Sequence, residues 1–506
     1  MLDGPVRVTS WGYRCPKPDC PAPETIYRST EAEKLHLNKK QFGRDVIVHV
    51  GYRRFWYHQT MYEIHEWLTQ DLGLTIVESE VFYLLIDFLA LLGAAQPAKV
   101  RDRLRTLDRL IIGLDGMQPE KGNTCLYIVR ELQLDLTLLA ENLDDSSDAT
   151  IRTKLFQPLK ALAKEMNLSW YGIVSDAQES IRTAASKELP DIPHQACQGH
   201  CLRKAGELTF ENDRNMKKHL KATFRQRLRR VEQRIECLPE ADPHRPVLAD
   251  YADAMRSTLL EGGVAPFDLG GVRVFDDLTA LSASLAHCQK KGGHVLLRRL
   301  IKIADCRLPF TEQVAQLRQQ RQWLVDLEHL MDPSKPFKQP PRTGQSVAQA
   351  VDGYLVDLLA KVTKDMNEEN RQVATHINDT FRNRWWGLFT CYDVQDLPRT
   401  NNDLERYMRR IKTGHRRVCG HKNVHDFIIR YGRYAAYVDY RESVDDLLAR
   451  LRQVSQDDFL RERQALDITL VQEQKRHRFR HYQADYLREL ENRWGAAIEK
   501  ARLTCR

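Results

Sequence analysis

Three acidic residues stand where they could together hold divalent cations. Asp115 closes the apolar run LIIGL, and Asp176 closes the apolar run YGIV. Both runs are typical of buried strands, and a carboxylate that ends such a strand lies at the edge of a sheet, where metal sites form. Glu405 lies in a predicted helix after the last strand. Two strand-end aspartates and a helical glutamate predict two Mg²⁺ or Mn²⁺ ions that serve phosphoryl transfer.

Each of these acids also has a simpler interpretation. A single aspartate at a strand end is most often a cap or turn residue, and Glu405 can form a helix-surface ion pair with Arg409, four residues later. Asp403 competes with Glu405 for the third position, and spacing alone does not separate them. A rival cluster falls where a strand turns into a helix, which favours helix capping; it consists of Asp144, Asp145 and Asp148.

Basic residues are concentrated in two predicted helices, although the whole chain carries a net charge of only +8. Such local surpluses predict contacts with the DNA backbone, and the alternative is a solvated helix face. Residues 399–417 hold seven bases and two acids, and their predicted contacts are Arg406, Arg409, Arg410, Lys412, Arg416 and Arg417. Residues 201–235 hold eleven bases and four acids, and the predicted contacts there are Lys217, Lys218, Lys221, Arg225, Arg229 and Arg230, with Arg227 and Arg234 in the same run.

Aromatic and thiol residues offer further candidates. Trp385 and Trp386 are either core residues or surfaces on which a displaced base stacks. Cys15 and Cys20, in CPKPDC, resemble one half of a Zn²⁺ ribbon, for which a good fourth ligand is missing. The neighbouring residues Cys197, His200 and Cys201 are either a partial zinc site or a packed cluster with a hydrogen bond from the histidine.

Composition narrows the class of protein. The 506 residues are 42% hydrophobic and 29% charged, which is typical of a globular protein with several cores. We expect no transmembrane helix and no signal peptide, because neither pattern is visible. An odd count of eleven cysteines predicts reduced thiols and a cytoplasmic location.

The elements that must position these residues follow from periodicity. Residues 107–205 alternate as β-β-β-α-β-α-β, the order of a ribonuclease H-like α/β fold. Residues 60–92 predict two helices with helix-turn-helix spacing. The second carries Glu78, Glu80 and Asp87 but no base, so we expect a structural role for it. Long helices fill the chain beyond residue 213, one of them predicted over 345–383.

These patterns divide the chain into six predicted regions. They are an irregular region with a partial zinc ribbon (1–50), a helix-turn-helix-like domain (51–100), the first part of a ribonuclease H-like core (105–212), an all-helical insertion (213–395), the last part of the core with Glu405 (396–440) and a charged helical tail (441–506).

Four motifs resemble the bacterial insertion-sequence transposases of the DDE type. They are LIIGLDGMQPEKGNT, YGIVSDAQES, QACQGHCLRKAG and RTNNDLERYMRRIKTGHRR. The chain is most similar to the branch with a Cys-x-x-His element after the second aspartate, shared with Mutator-like and hAT-like transposases. The resemblance covers about residues 107–440.

The resemblance implies an activity and its site. Asp115, Asp176 and Glu405 would be the acidic triad, with Cys197 and His200 as the Cys-x-x-His pair. It implies metal-dependent cleavage of DNA at the element ends, followed by strand transfer into target DNA. The implied working form is a homodimer or larger assembly on DNA, and no membrane is implied as a partner. A nuclease without strand transfer and an inactive DNA-binding descendant are the alternatives.

Overall fold

The computed structural model describes the chain apart from residues 1, 3, 5–10, 28, 118–123, 336–341, 365–366, 422 and 505–506. Residues 5–10 of the predicted irregular N-terminal region thus lie outside the described residues. Four helices occupy the N-terminal part, and they are α1 (Thr30–Leu35), α2 (Arg44–Phe55), α3 (Met61–Glu66, continued by a π-helical turn, Trp67–Asp71) and α4 (Glu78–Leu104).

The predicted helix pair of residues 60–92 forms, but its second helix is longer than expected. Thr60 caps α3 by accepting a hydrogen bond from the Glu63 N–H at 3.1 Å. Helix α4 extends to Leu104, through Pro97, because its apolar residues continue to pack in the core. Gly51 of α2 permits a close approach to α4, since a Cβ atom there would lie 2.1 Å from the Phe88 ring.

Helix α4 is the one helix in the described part of the chain that is long and apolar enough to cross a membrane. Its most apolar window is 72% buried within the protein, as in a core helix. Asp87, at the middle of α4, is 1% exposed and forms ion pairs with Lys40 at 2.7 Å and Arg463 at 3.0 Å. Asp87 therefore has a structural role inside the protein.

Five strands form one small mixed sheet in the order β3-β2-β1-β4-β5. Strand β1 pairs antiparallel with β2, and β2 with β3. All five strands expected between residues 107 and 200 are confirmed, and their bounds are β1 (Arg109–Met117), β2 (Cys125–Glu131), β3 (Leu136–Leu143), β4 (Ser169–Ser175) and β5 (His194–Ala196). The fold is thus α/β in this region and helical around it.

Helices connect and follow the strands. Those that lie between β3 and β5 are α5 (Asp148–Ile151), a π-helical turn (Arg152–Phe156), α6 (Gln157–Glu165) and α7 (Glu179–Glu188). The next eight are α8 (Gln198–Ala205), α9 (Glu207–Glu236), α10 (Arg245–Thr258), α11 (Gly270–Lys291), α12 (Val295–Ala304), α13 (Thr311–Met331, after a 3-10 turn, Asp305–Phe310), α14 (Gly344–Lys364) and α15 (Glu368–Arg384), before a 3-10 turn, Thr390–Tyr392. The single helix predicted over 345–383 is wrong: a new helix begins after Asn367, whose side chain caps α15 by accepting from the Asn370 N–H at 3.0 Å.

The last five helices are α16 (Asn402–Cys419), α17 (His425–Ala435), α18 (Val444–Leu451), α19 (Gln456–His481) and α20 (Gln483–Thr504). The prediction of a charged helical tail over residues 441–506 is wrong for its first part. Leu447, Leu451 and Phe459 are buried in the same core as α2 and α4. The buried Arg44 donates to the Leu451 carbonyl at 2.7 Å, which ties α18 to α2.

The chain divides into two compact units. The first unit contains Met1–Ile173, Gln178–Ile192 and Asn402–Arg506, and the second contains Val174–Ala177 and Pro193–Asn401. The first unit holds the N-terminal helices, β1 to β3, most of β4 and the five last helices, with two cores. The second unit is almost entirely helical, with α8 to α15 packed in two further cores.

Candidate active site

Asp115 lies on β1 in the first unit, and it is only 6% exposed. The expectation that it ends the strand is wrong, since β1 continues to Met117. The antiparallel pairing with β2 carries the strand further, through Gly116 opposite Tyr127. The Gly116 N–H donates to Oδ1 of Asp115 at 2.8 Å. Because charged groups are rarely buried unless they are paired or bind metals, this carboxylate is a strong candidate for either role.

Helix α16 packs against β1 within the first unit. Its apolar residues Leu404, Met408 and Ile411 are buried in the core, and Glu405 next to them is half-buried. The hydrophobic face of a strongly amphipathic helix thus fixes which of its polar residues come close to the sheet.

Lys412, also on α16, lies near Asp115. Burial lowers the pKa of Lys412, and the negative charge of Asp115 partly opposes that effect. Glu405 precedes Lys412 by seven residues, two helical turns, so both project from one face of α16. That face therefore carries one carboxylate and one cation towards the strand that holds Asp115.

Asp403, the rival of Glu405, is placed differently. Its side chain is 54% exposed and forms an ion pair with Arg406 on the same helix. An exposed pair three residues apart is an ordinary helix-surface contact of little energetic weight. The structure thus favours Glu405 over Asp403 as the functional acid, a choice that spacing left open.

Asp176 belongs to the second unit and, as expected, immediately follows the last residue of β4. It is half-buried. The carbonyl of Ser175, its neighbour, accepts a hydrogen bond from the Cys197 N–H at 2.7 Å. The segment with Asp176 is thereby fixed next to the start of α8.

The Cys-x-x-His element lies at the start of α8 in the second unit. Cys197 is buried just before the helix, and His200 is half-buried in its first turn. The Asn401 N–H donates to Sγ of Cys197 at 3.2 Å. Cys201 is fully buried in a hydrophobic core, and burial raises the pKa of its thiol to about 12. Its side chain therefore contributes to the packing of that core.

The rival acids near residue 145 lie at the start of α5, whose N-cap is Ser147, which accepts a hydrogen bond from the Thr150 N–H at 3.3 Å. Ser147 and Thr150 donate to the side chain of Asp145, and Asp148 forms an ion pair with Lys187 at 2.6 Å. These contacts keep the pKa of both carboxyls below their ordinary values. Capping by the acids themselves is thus wrong: Asp145 supports the cap residue Ser147, and Asp148 lies in the first turn of the helix.

The two cysteines of CPKPDC are half-buried thiols joined by a turn, in which the Cys20 N–H donates to the Lys17 carbonyl at 3.2 Å. Within the described residues, no group of three or more His, Cys, Asp or Glu ligand atoms includes Cys15 or Cys20. His36, the third ligand considered, instead has its Nδ1 atom 3.0 Å from the Leu37 carbonyl oxygen. Within the described residues the two cysteines thus have no third or fourth zinc ligand, and a partial ribbon stays a prediction.

Trp385 and Trp386 are half-buried in the second unit. The Trp385 ring packs edge-on to Phe389 at 4.9 Å, with Arg382 above it at 4.7 Å. The Trp386 ring packs edge-on to His194 at 4.9 Å. Both rings thus contribute to packing, and part of each remains accessible.

The basic side chains of α9 form two groups, one that binds backbone carbonyls and one that is exposed. Lys217 and Lys221 are half-buried and donate to backbone carbonyls that follow α10, with Lys221 3.2 Å from the Glu261 oxygen. Both ammonium groups thus already have internal acceptors, which makes them weaker candidates for DNA contact than the exposed bases of α9. The other predicted bases of α9 are exposed and form no ion pair among the described residues; they are Lys218, Arg225, Arg227, Arg229, Arg230 and Arg234.

Four exposed bases of α9 form a continuous stripe, and they are Arg214, Lys218, Arg225 and Arg229. Their spacings of four, seven and four residues place them on one face of the helix, over roughly 22 Å. Arg225 and Arg229 also line a cavity of about 220 Å³ together with Arg256. Arg214 was not among the predicted contacts, although its helical spacing from Lys218 points to it.

The basic side chains of α16 also differ in their surroundings. Arg410 lies over the Tyr440 ring at 3.8 Å, Arg406 is paired with Asp403, and Lys412 is half-buried near Asp115. The remaining predicted contacts are exposed, and they are Arg409, Arg416 and Arg417. Their exposed side chains are accessible to an external phosphate.

No protein-family model and no curated protein matches this chain. The residues that point to a function are a buried aspartate on β1, a glutamate on the helix that packs against β1, and the exposed bases of two cationic helices.

Proposed function

We propose that the chain is a DDE-type DNA transposase with a ribonuclease H-like catalytic core. The observation that carries the proposal is the packing of α16 against β1, which brings the helix face of Glu405 to the strand of Asp115. These residues are far apart in sequence but belong to one unit. The strand order, with three antiparallel strands and then β4 beside β1, supports the same fold.

Asp176 is the third acid of the proposed site because of its position in the sequence of strands. It directly follows β4, the neighbour of β1 in the sheet. Asn401, bonded to Cys197, precedes Glu405 by four residues, about one helical turn. The Cys-x-x-His element would thus position both Asp176, through Ser175, and the entry to the Glu405 helix.

The donor set fits the implied cations. Carboxylate oxygens are the ligands that Mg²⁺ and Mn²⁺ prefer, and a nearly buried Asp115 gains from a neighbouring positive charge. Two cations held by Asp115, Asp176 and Glu405 would supply activation of the attacking oxygen and stabilisation of the leaving oxygen. Lys412 lies on the same helix face and would add a fixed cation close to the scissile phosphate.

The basic helices provide the grip on DNA in this proposal. The exposed stripe of α9 forms no ion pair among the described residues, so it meets phosphates directly, and the exposed arginines of α16 add positive charge for the same contact. Two element ends must be handled together, which makes a homodimer or larger assembly on DNA the natural working form. Its place would be the bacterial cytoplasm, with the nucleoid.

The test is a strand-cleavage assay with a labelled duplex that carries the DNA flanking the coding sequence, in Mg²⁺ or Mn²⁺. A transposase gives cut ends and products joined to a target duplex. Cut products alone would assign the chain as a nuclease of the same fold. A mobility shift without cleavage would assign it as a DNA-binding protein that has lost catalysis.

A further inference from the structure

A cavity of about 610 Å³ lies in the first unit, beside α16 and α17 and the end of α2. It lies towards the C-terminal end of α16, beyond Lys412, where His415 and Cys419 line it, and none of the predicted site residues is among its lining. Its volume is within the range of sites that hold a small organic group. Two arginines, two histidines and two aromatic rings line it, and they are Arg54, Arg430, His415, His421, Phe427 and Tyr431.

The cavity is cationic. Neither Arg54 nor Arg430 has a carboxylate within ion-pair distance in the part of the chain that the structure describes; Arg54 donates to the Gln59 carbonyl at 3.2 Å. Burial lowers the pKa of Arg54 to about 10, so it remains charged at neutral pH. Asp426 is the one acid among the lining residues, and it is exposed on α17, where water screens its charge.

The same cavity offers flat aromatic surfaces. The rings of His415 and Phe427 are stacked, with centroids 4.2 Å apart and planes at 17°. Tyr431, one helical turn after Phe427, is half-buried, and Arg54 and Arg430 both influence the ionisation of its hydroxyl. Guanidinium groups and aromatic rings within one cavity match the two parts of a nucleotide, its phosphate and its base.

We propose that this cavity binds a single nucleotide unstacked from a DNA strand, with the phosphate on Arg54 and Arg430 and the base against Tyr431. The inference rests on the proposed function to the extent that DNA is the ligand. It adds a binding site that is separate from the acidic residues. Both guanidinium groups are half-buried and have no carboxylate partner among the described residues, so a phosphate gains charge-assisted hydrogen bonds there.

The experiment compares two labelled duplexes of the same flanking sequence by fluorescence anisotropy, one fully paired and one with a single bulged nucleotide. A bulged nucleotide has already left the stack, so it enters the cavity at lower cost. We expect the wild-type protein to bind the bulged duplex about tenfold more tightly, the scale of stacking one base. Arg430→Gln and Tyr431→Ala should each remove most of this preference and retain binding of the paired duplex.

Arg101→Gln is the matched control, because Arg101 lies in the same unit and is paired with Glu165 at 2.6 Å. It should leave both affinities unchanged, and thermal unfolding of all variants checks that they fold. An absent preference in the wild type, or a preference that persists in both cavity variants, would overturn the inference. Failure to bind either duplex would overturn the proposed function as well, whereas a preference without strand cleavage would overturn only the catalytic proposal.

Discussion

The backbone N–H of Asn401 donates a hydrogen bond to the Sγ atom of Cys197 at 3.2 Å, and the next residue begins α16. A buried cysteine in the second unit thus fixes the chain immediately before the helix that carries Glu405. We expect Cys197→Ala to lower the free energy of unfolding by about 1–3 kcal/mol, because it leaves a buried donor without its acceptor. It should also slow strand cleavage.

Cys197→Ser is the informative comparison, since its hydroxyl can still accept the Asn401 N–H. Urea unfolding and the cleavage rate should both lie closer to wild type for Ser than for Ala. Equal losses in the two variants would mean that the hydrogen bond does not matter and that only the volume of the side chain does.

Neutral substitutions of the three acids test the proposed catalytic site. Asp115→Asn, Asp176→Asn and Glu405→Gln should each reduce strand cleavage by at least about 100-fold, the scale of losing one electrostatic contact to a transition state. DNA binding should remain close to wild type, as measured by anisotropy.

Asp403→Asn is the matched control for Glu405→Gln, because Asp403 lies on the same helix but is exposed and paired with Arg406. Its cleavage rate should equal that of the wild type. A Glu405→Gln variant that cleaves normally would remove Glu405 from the site, and a dead Asp403→Asn variant would put Asp403 there instead.

If the stripe on α9 contacts phosphates, substitutions in it should reduce the salt dependence of DNA binding. Replacing Arg225 and Arg229 together by Ala should weaken DNA binding and reduce the slope of log K against log salt by about 2, since each phosphate contact contributes about 0.9. Replacing Lys217 and Lys221 should change the slope less, because both already bind carbonyl groups.

Arg371→Ala serves as the control for this series, since Arg371 is exposed in the same unit and paired with Glu368 at 3.0 Å. Its slope should match the wild type. An unchanged slope in the Arg225/Arg229 double variant would make the stripe a solvated helix face.

The buried acid of α4 predicts a large effect on stability. Asp87→Asn should lower the free energy of unfolding by about 3 kcal/mol, because Lys40 and Arg463 lose the charge that compensates them in the core. Urea unfolding measures the change. The exposed Asp403→Asn variant should stay within about 0.5 kcal/mol of wild type, and a similarly small effect for Asp87→Asn would contradict the pairing.

Local patterns were enough for much of the fold. Apolar runs of strand length predicted all five strands between residues 107 and 200, and the position of Asp176 directly after β4 followed from one of them. The period of the apolar residues also marked α9 and α16. These features depend on neighbours within a few residues, so the sequence encodes them locally.

Contacts between distant segments could not be predicted in this way. Strand β1 passes beyond Asp115 because β2 continues to pair with it, and the first part of the supposed tail is core because Arg44 and α4 hold it there. Periodicity also could not show that Lys217 and Lys221 are used internally, since their carbonyl partners lie about 40 residues away in sequence.

The sequence by itself determined the element types, the concentration of cations on two helices and a short set of candidate acids. Only the tertiary structure showed that Asp403 is exposed and paired with Arg406, placed Lys412 near Asp115 and assembled the cavity of Arg54 and Arg430. The reason is physical: helix and strand periods arise from local backbone geometry, whereas burial and charge pairing depend on which surfaces pack together over hundreds of residues.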